Sequence, residues 1–440
     1  MSKQRERELT AEILERVREI AALRNEPQPF TPGVTPVKYA GRVYDEEDMV
    51  ALAESAVEFW LTAGRWHRRL EDGLAKWYGV HAARLVNSGS SANLVAFAAL
   101  MSHTWGERRL KRGDEVITVA AGFPTTVAPI LQLGAVPVFV DVSLPSSNID
   151  VSLLEAARTE RTRAVVLAHT LGNPFDLDAI TAFCRKHDLW LVEDNCDAAG
   201  SLYHGKKTAT FGDVATLSFY PPHHMTTGEG GAVLCSTDEM KRVVESIRDW
   251  GRDCWCQPGV DNTCGKRFEW QLGELPAGYD HKYTYSHLGF NLKMSDMQAA
   301  VGVTQLKKLD AFCAARRENW RFYRETLGEL QDVLVLPEAT EHADPSWFGF
   351  FMVVRENAPF RRDEIVRHLE SKKIQTRMLF AGNLVRQPAL TNGDAPYRVA
   401  GELTVTDTLM NRGFWIGVYP GLTGPMREFV ASELRNFARR

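Results

Sequence analysis

The sequence predicts an α/β protein built on a mostly parallel sheet with helices over it, and three observations carry that expectation. From about Gly113 onward, β-rich apolar runs alternate with helix-like stretches, the pattern of strand–helix–strand units. The length of 440 residues allows two domains at roughly 100–200 residues each. Beyond a long helix-like segment at 306–330, a further αβ unit (349–354, then 362–372) reads as a smaller second domain. The chain divides accordingly into an N-terminal helical arm at 1–45, a large domain at 46–305 and a small C-terminal domain at 306–440.

The first 23 residues are rich in Glu and Arg, with Leu9, Ile13, Val17 and Ile20 at helical spacing, and they lack the apolar centre of a signal peptide. Runs at 116–121, 136–142, 164–169, 190–193, 214–220 and 232–235 supply the strands. Ligands of such sheets bind beyond the carboxyl ends of the strands. The polar residues that follow strands, Asp194 and Ser218 among them, are therefore candidates for one common site. The stretch 249–293, which belongs to the large domain, is irregular and carries Cys254, Cys256 and Cys264 among many aromatic and charged residues. Loops of that length are usually functional or disordered, and here the cysteines argue for function. Helix resumes near 295–309.

Hydrophobic residues at 44% and charged residues at 25% fit an ordinary globular protein. A net charge of -4 offers no global attraction to nucleic acid or an anionic membrane. No apolar run approaches the ~18–20 residues of a membrane span. The expectation is a cytoplasmic protein with neither nucleic acid nor membrane as partner. The cysteines number seven, without an export signal, so their clustering points to metal or redox chemistry before disulfides.

Asn87-Ser88-Gly89-Ser90-Ser91-Ala92-Asn93 precedes an apolar helical run. Small residues at a helix N-terminus can cradle an anion, or can simply cap the helix. Val192-Glu193-Asp194-Asn195-Cys196-Asp197 ends a buried-looking strand with two consecutive carboxylates, which are costly to bury unpaired. Pyridoxal-type cofactors need a carboxylate against the protonated pyridine nitrogen. Asp194 suits that role, although a strand-end Asp is more often a helix cap.

The segment Ser218-Phe219-Tyr220-Pro221-Pro222-His223-His224-Met225-Thr226-Thr227-Gly228-Glu229-Gly230-Gly231 is the most specific in the chain. It resembles the sugar aminotransferase family of pyridoxal-phosphate enzymes, whose signature is Ser-Phe, three residues, Lys, three to four small or polar residues, then Gly-Glu-Gly-Gly. The resemblance runs from about Trp60 to the C-terminus and implies the aspartate-aminotransferase-like architecture, fold type I, with a seven-stranded sheet. It implies that Gly89, Ser90 and Ser91 hold the cofactor phosphate, that Phe123 stacks on the ring, and that Ser218 adds a phosphate contact. It also implies that Asp194 pairs with the pyridine nitrogen and that Asp197 joins the cofactor-binding set. Asn291, in Gly289-Phe290-Asn291-Leu292-Lys293, matches the asparagine that reaches the neighbouring subunit's phosphate, which implies a homodimer.

Where the family has its lysine this chain has His223. An imidazole exchanges protons near neutral pH but cannot form the covalent imine that a lysine amine forms. Ordinary transamination is disfavoured, and the cofactor is expected to be held non-covalently as pyridoxamine 5′-phosphate (PMP). Relatives with histidine at this position deoxygenate 4-keto-6-deoxy sugars at C3, which makes His223 the expected base and an NDP-4-keto-6-deoxyhexose the expected substrate. A chain that keeps the fold without catalysis is the bland reading. His224 is treated as secondary, since adjacent side chains need not face the same way.

Four cysteines follow the pattern Cys196-x57-Cys254-x-Cys256-x7-Cys264. By spacing alone they suit a [2Fe–2S] cluster or a structural zinc. Elimination leaves an adduct that needs two electrons, and the glycine pattern of a dinucleotide fold is missing, so redox metal is preferred. Cys196 lies two residues past Asp194, within about 7 Å by Cα at ~3.3–3.6 Å per residue. The spacing resembles that of the iron–sulfur sugar 3-dehydrases, which implies an electron donor, an NAD(P)H-dependent flavin or iron–sulfur reductase, docking near the cysteine-rich loop. Cys184, Cys235 and Cys313 read as buried free thiols. An iron-free PMP-dependent dehydratase and a non-catalytic binding protein are the rivals. His287, Tyr285 and the 380–383 loop are expected at the outer wall of the site.

Overall fold

A computed structural model of the chain describes residues 3–26, 28–256 and 259–439. Its strands include β1 (Ala82–Val86), β2 (Glu115–Val119), β3 (Val136–Val140), β4 (Thr162–Ala168), β5 (Trp190–Asp194), β6 (Val214–Ser218) and β7 (Gly231–Cys235). The C-terminal third adds β8 (Leu334–Val335), β9 (Gly349–Val354), β10 (Thr376–Arg377), β11 (Arg398–Val399) and β12 (Gly413–Gly417). The large sheet has the order β1-β7-β6-β5-β4-β2-β3-β11, parallel except for β7, which runs antiparallel to both neighbours. It has eight strands rather than the seven expected, because the C-terminal segment returns Arg398–Val399 to pair with β3.

Both faces of this sheet are covered, which is why its strands are apolar runs rather than alternating ones. Successive residues feed opposite cores: Ile117, Val165 and Leu191 belong to one cluster, Val116, Val166 and Val192 to the other. A second, antiparallel sheet of order β8-β9-β12-β10 packs Phe350, Met352, Phe414 and Ile416 against Ile365, Leu369, Val430 and Leu434.

The helices include α1 (Lys3–Arg24), α2 (Gly89–Leu100), α3 (Pro124–Gln132), α4 (Asp238–Arg248) and α5 (Asp296–Thr326). Ser295 caps α5 reciprocally with Gln298, and the helix then runs without a break across position 305. Between α4 and α5 the cysteine-bearing stretch forms a loop with a closed neck. Asp249 bridges Asn291, the Trp250 N–H donates to Phe290 O at 2.6 Å, and the Gly251 N–H donates to Ser246 O at 2.7 Å. Gly251 has φ +84°, and a Cβ there would overlap the His287 carbonyl, so the neck depends on glycine.

Candidate active site

The carboxyl ends of β4, β5 and β6 and the N-terminus of α2 meet around a cavity of about 310 Å³. That is the lower end of the usual size for small-molecule sites. Gly89, Ser90, Phe123, Asp194, Cys196, Asp197, Ser218 and His223, all singled out from the sequence, line it. Ser91 stands one step back, its N–H donating to the Ser88 hydroxyl oxygen at 3.0 Å. This cap secures the first turn of α2, whose leading N–H groups have no intrahelical partner.

The two consecutive carboxylates of β5 separate by strand alternation. Glu193 turns to the buried side, where it meets His169 Nε2 at 3.1 Å and accepts from the N–H groups of Ala209, Phe211 and Gly212. Burial raises the Glu193 carboxyl, but the His169 contact and these N–H donors outweigh it and leave it below its ordinary range. Asp194 turns to the cavity. Its Oδ2 accepts from Asn93 Nδ2 at 2.9 Å and Thr126 Oγ1 at 2.6 Å, and its Oδ1 accepts from the Cys196 N–H at 3.2 Å. Asn93 is itself oriented by the Thr216 hydroxyl, which donates to its Oδ1 at 2.6 Å. A carboxylate held by several donors, the Thr216 hydroxyl at 3.5 Å from Oδ1 being a fourth, has a fixed direction, which a ring-nitrogen partner requires.

His223 follows β6 in a turn closed by its own N–H donating to Tyr220 O at 2.9 Å. Its ring rests on Phe348, centroids 5.2 Å apart, and its Nδ1 lies 3.4 Å from Asp197 Oδ1. Burial pushes the Asp197 carboxyl up, with the His223 contact opposing it. Asp197 thus stands against His223 rather than beside Asp194. His224 points away from the cavity: its Nε2 donates to Ser346 O at 2.9 Å, and burial, followed by the charge of Arg316, pushes its imidazole well below the ordinary range.

Several wall residues had no sequence signal. Tyr39, Phe348, Arg377 and Trp415 arrive from distant parts of the chain, and among the described residues lining the cavity Arg377 is the one arginine or lysine. Its guanidinium lies 3.8 Å over the Tyr39 ring. Asn93 closes the segment 87–93 and Thr126 lies three residues past Phe123, but neither was singled out; the need to hold a strand-end carboxylate is the signal that could have found them. Of the expected outer wall only Phe380 lines the cavity. His287 instead packs between Ser102 Oγ (2.7 Å) and Ser246 Oγ (2.9 Å), Tyr285 faces solvent, and Asn383 is buried on Asp407.

Asn291 is exposed at the loop neck and does not line the cavity of its own chain. The four motif cysteines are divided. Cys196 is on the cavity wall, where burial and then Asp194 raise its thiol well above its usual range. Cys254 and Cys256 interact with each other on the loop, Cys256 Sγ lies 3.1 Å from Thr263 Oγ1, and Cys264 Sγ lies 3.4 Å from His281 Nε2. Among the described residues, no group of three or more His, Cys, Asp or Glu side chains is arranged to hold a metal ion.

Similarity to known proteins agrees with this geometry. A dTDP-4-dehydro-2,6-dideoxy-D-glucose 3-dehydratase of Saccharopolyspora spinosa is 54% identical over 412 residues, 94% of this chain and 88% of that protein. The lipopolysaccharide biosynthesis protein RfbH of Salmonella typhimurium is 53% identical over 93% of this chain and 94% of its own length. Among solved structures, GDP-4-keto-6-deoxymannose-3-dehydratase (ColD) with bound GDP-perosamine superposes with a TM-score of 0.81 at 28% identity, covering 90% of this chain and 99% of that one. The fold is that of aspartate-aminotransferase-like, type I enzymes. Residues 42–435 match the DegT/DnrJ/EryC1/StrS aminotransferase family, and the chain belongs to that family.

Proposed function

We propose that this chain binds PMP and removes the C3 hydroxyl of a nucleotide-linked 4-keto-6-deoxyhexose, with His223 as the base. The observation that carries the reading is an imidazole on the cavity wall at the position where the motif calls for lysine. The names of the relatives, a sugar 3-dehydratase at 54% identity and ColD, support the same class of reaction.

The residues present fit the cofactor. A Cβ on Gly89 would sit 2.5 Å from Ser218 Cβ, so the absence of a side chain lets the helix N-terminus come up against β6. Gly89, Ser90, Ser91 and Ser218 would hold the phosphate, Phe123 would stack on the ring, and Asp194 would keep the pyridine nitrogen protonated. In a homodimer, Asn291 would reach the phosphate of the other subunit. When bound, PMP would supply an amine that condenses with the C4 ketone and a ring that accepts an electron pair.

His223 takes the proton that must leave for the C3 hydroxyl to depart, and Asp197, 3.4 Å from its Nδ1, stabilises the charged imidazole that results. Phe348 limits the ring's swing. Arg377 is the cation available to the diphosphate of the sugar nucleotide.

Departure of the hydroxyl as water and formation of a 3-deoxy-4-ketosugar take up two electrons and two protons. We infer from the cysteine spacing that Cys196, Cys254, Cys256 and Cys264 would hold a [2Fe–2S] cluster, which would supply one-electron transfer from an NAD(P)H-dependent reductase. Among the described residues these thiols are not gathered into one metal-holding group. That separation favours an iron-free PMP-dependent dehydratase as the second reading, in which the two electrons would come from PMP itself, its amine leaving as ammonia and the carbon that bore it left as an aldehyde.

Two measurements test these statements. Incubation with PMP, NADH, a flavin or iron–sulfur reductase and CDP-, dTDP- or GDP-linked 4-keto-6-deoxyglucose is expected to deoxygenate C3 of at least one; an amino sugar as the product contradicts the proposal. Iron and acid-labile sulfide on anaerobically purified protein are expected at about two each per protomer, with a reduced [2Fe–2S] signal. Zinc or no metal removes the cluster and leaves the iron-free reading.

A further inference from the structure

We propose that Arg316 is a positioning residue for His223, acting through the peptide that carries the imidazole and through the Phe348 ring on which it rests. The inference rests on the reading of His223 as the base.

Arg316 projects from α5 and is 1% exposed. Its Nη2 donates to the carbonyls of Pro222 and His223, both at 3.2 Å. Its Nη1 donates to Trp347 O at 3.3 Å and Phe348 O at 3.5 Å. One planar fork thus fixes both the turn that presents the imidazole and the residue that supports its ring. The geometry suits arginine, whose donors are rigidly splayed, and not lysine, whose single ammonium reaches one such pair. Arg316 does not line the substrate cavity; with Pro221, His224 and Gln305 it borders a small space behind His223.

The charge is the informative part. Burying a guanidinium without a carboxylate partner is costly, and a neutral amide would serve merely to tie two loops. Among the described residues Arg316 forms no ion pair; burial pushes its guanidinium down to about 10, with Cys313 and Asp197 opposing. Its field reaches the residue next to the base: after burial, it is the next influence that holds His224 below the ordinary imidazole range. Arg316 therefore favours a neutral His224 beside His223.

The test compares Arg316→Met and Arg316→Lys in the full, PMP-loaded chain. Turnover is followed, with NADH and the reductase present, on the CDP-, dTDP- or GDP-linked 4-keto-6-deoxyglucose that the wild type accepts. In parallel, nitrogen spectra of histidine-labelled protein locate His223 by the signals that vanish in His223→Asn. The expected result for Arg316→Met is a kcat at least about tenfold lower at a KM within about twofold, with a displaced pH profile. Arg316→Lys recovers part of the loss because the charge returns, and the His223 signals move in both variants.

A wild-type kcat and pH profile in Arg316→Met overturns the proposal. So do equal losses in both variants with His223 signals at wild-type positions, the mark of a purely structural tie. If Arg316→Met does not fold, Arg316→Lys decides alone: wild-type kcat with unmoved signals overturns the proposal. If the wild type turns over none of the sugars, the reading of His223 as the base fails separately, and the His223 signals of the Arg316 variants still decide the positioning claim.

Discussion

In the proposed reaction His223 and Asp194 would divide the work of the cavity between proton transfer and charge retention, and each is held by neighbours that a variant can remove. In His223→Asn the ring that exchanges protons is lost while the Asn93 and Thr126 grip on Asp194 is untouched. PMP affinity is expected to stay within about threefold while turnover falls by at least about 10²-fold, the usual scale for a general base, as read by PMP absorbance and product assay. His223→Lys restores a primary amine and is expected to acquire a visible absorbance with pyridoxal 5′-phosphate that borohydride traps. Gly89→Ala would drive a methyl group against Ser218. An overpacked cradle costs roughly 1–3 kcal/mol, so PMP affinity is expected to fall about tenfold or more; calorimetric titration with PMP checks it. The position of Asp194 on the cavity was legible in the sequence because polar residues that follow parallel strands converge at one site. The place of Asp197 against His223 was not, because it depends on a turn 26 residues further along the chain.

At the scale of elements, the cysteine loop is set on a neck that couples it to the end of α4. Arg248 is buried between Glu71 and Asp249, and Lys293 closes the far side on Asp249 at 2.9 Å. Burial raises Asp249, but Arg248 and Lys293 outweigh it and hold the carboxyl below its usual range. Gly251 makes the tightest turn in this neck, so Gly251→Ala is expected to open it. Limited proteolysis would then cut within 252–287 at least about tenfold faster while the core retains its melting transition, because loops open locally at lower cost than cores. The strands of the large sheet were legible as apolar runs, and β9 matched its expected span. β1 escaped because Ala82-Ala83-Arg84-Leu85-Val86 has few β-branched residues, and β11 because two residues carry no period. The aromatic wall of Tyr39, Phe348 and Trp415 is assembled by tertiary packing between distant segments, which no local pattern encodes.

For the molecule as a whole, the neutral, buried His224 ties stability to pH. An unfolded His224 titrates near 6.5, whereas in the fold burial and then Arg316 hold it well below that value. Between the two values the unfolded chain binds a proton that the folded chain does not. This contribution to stability is present above about pH 6.5 and is lost as pH falls toward the folded value, at up to about 1.4 kcal/mol per pH unit. Urea unfolding between pH 7.5 and 5.5 is expected to show a flatter pH dependence in His224→Gln, which keeps a donor toward Ser346 O, than in the wild type. Among the described residues no helix is long and apolar enough to cross a membrane. The proposed reaction removes one oxygen atom from one carbon. Its most direct test is the release of ¹⁸O from C3 of a labelled nucleotide-linked 4-keto-6-deoxyglucose, wild type against His223→Asn at equal PMP occupancy. The account predicts that the wild type releases the label into water and that the variant binds PMP but does not. Release at the wild-type rate by His223→Asn, or none by the wild type with any of the three nucleotides, would contradict it.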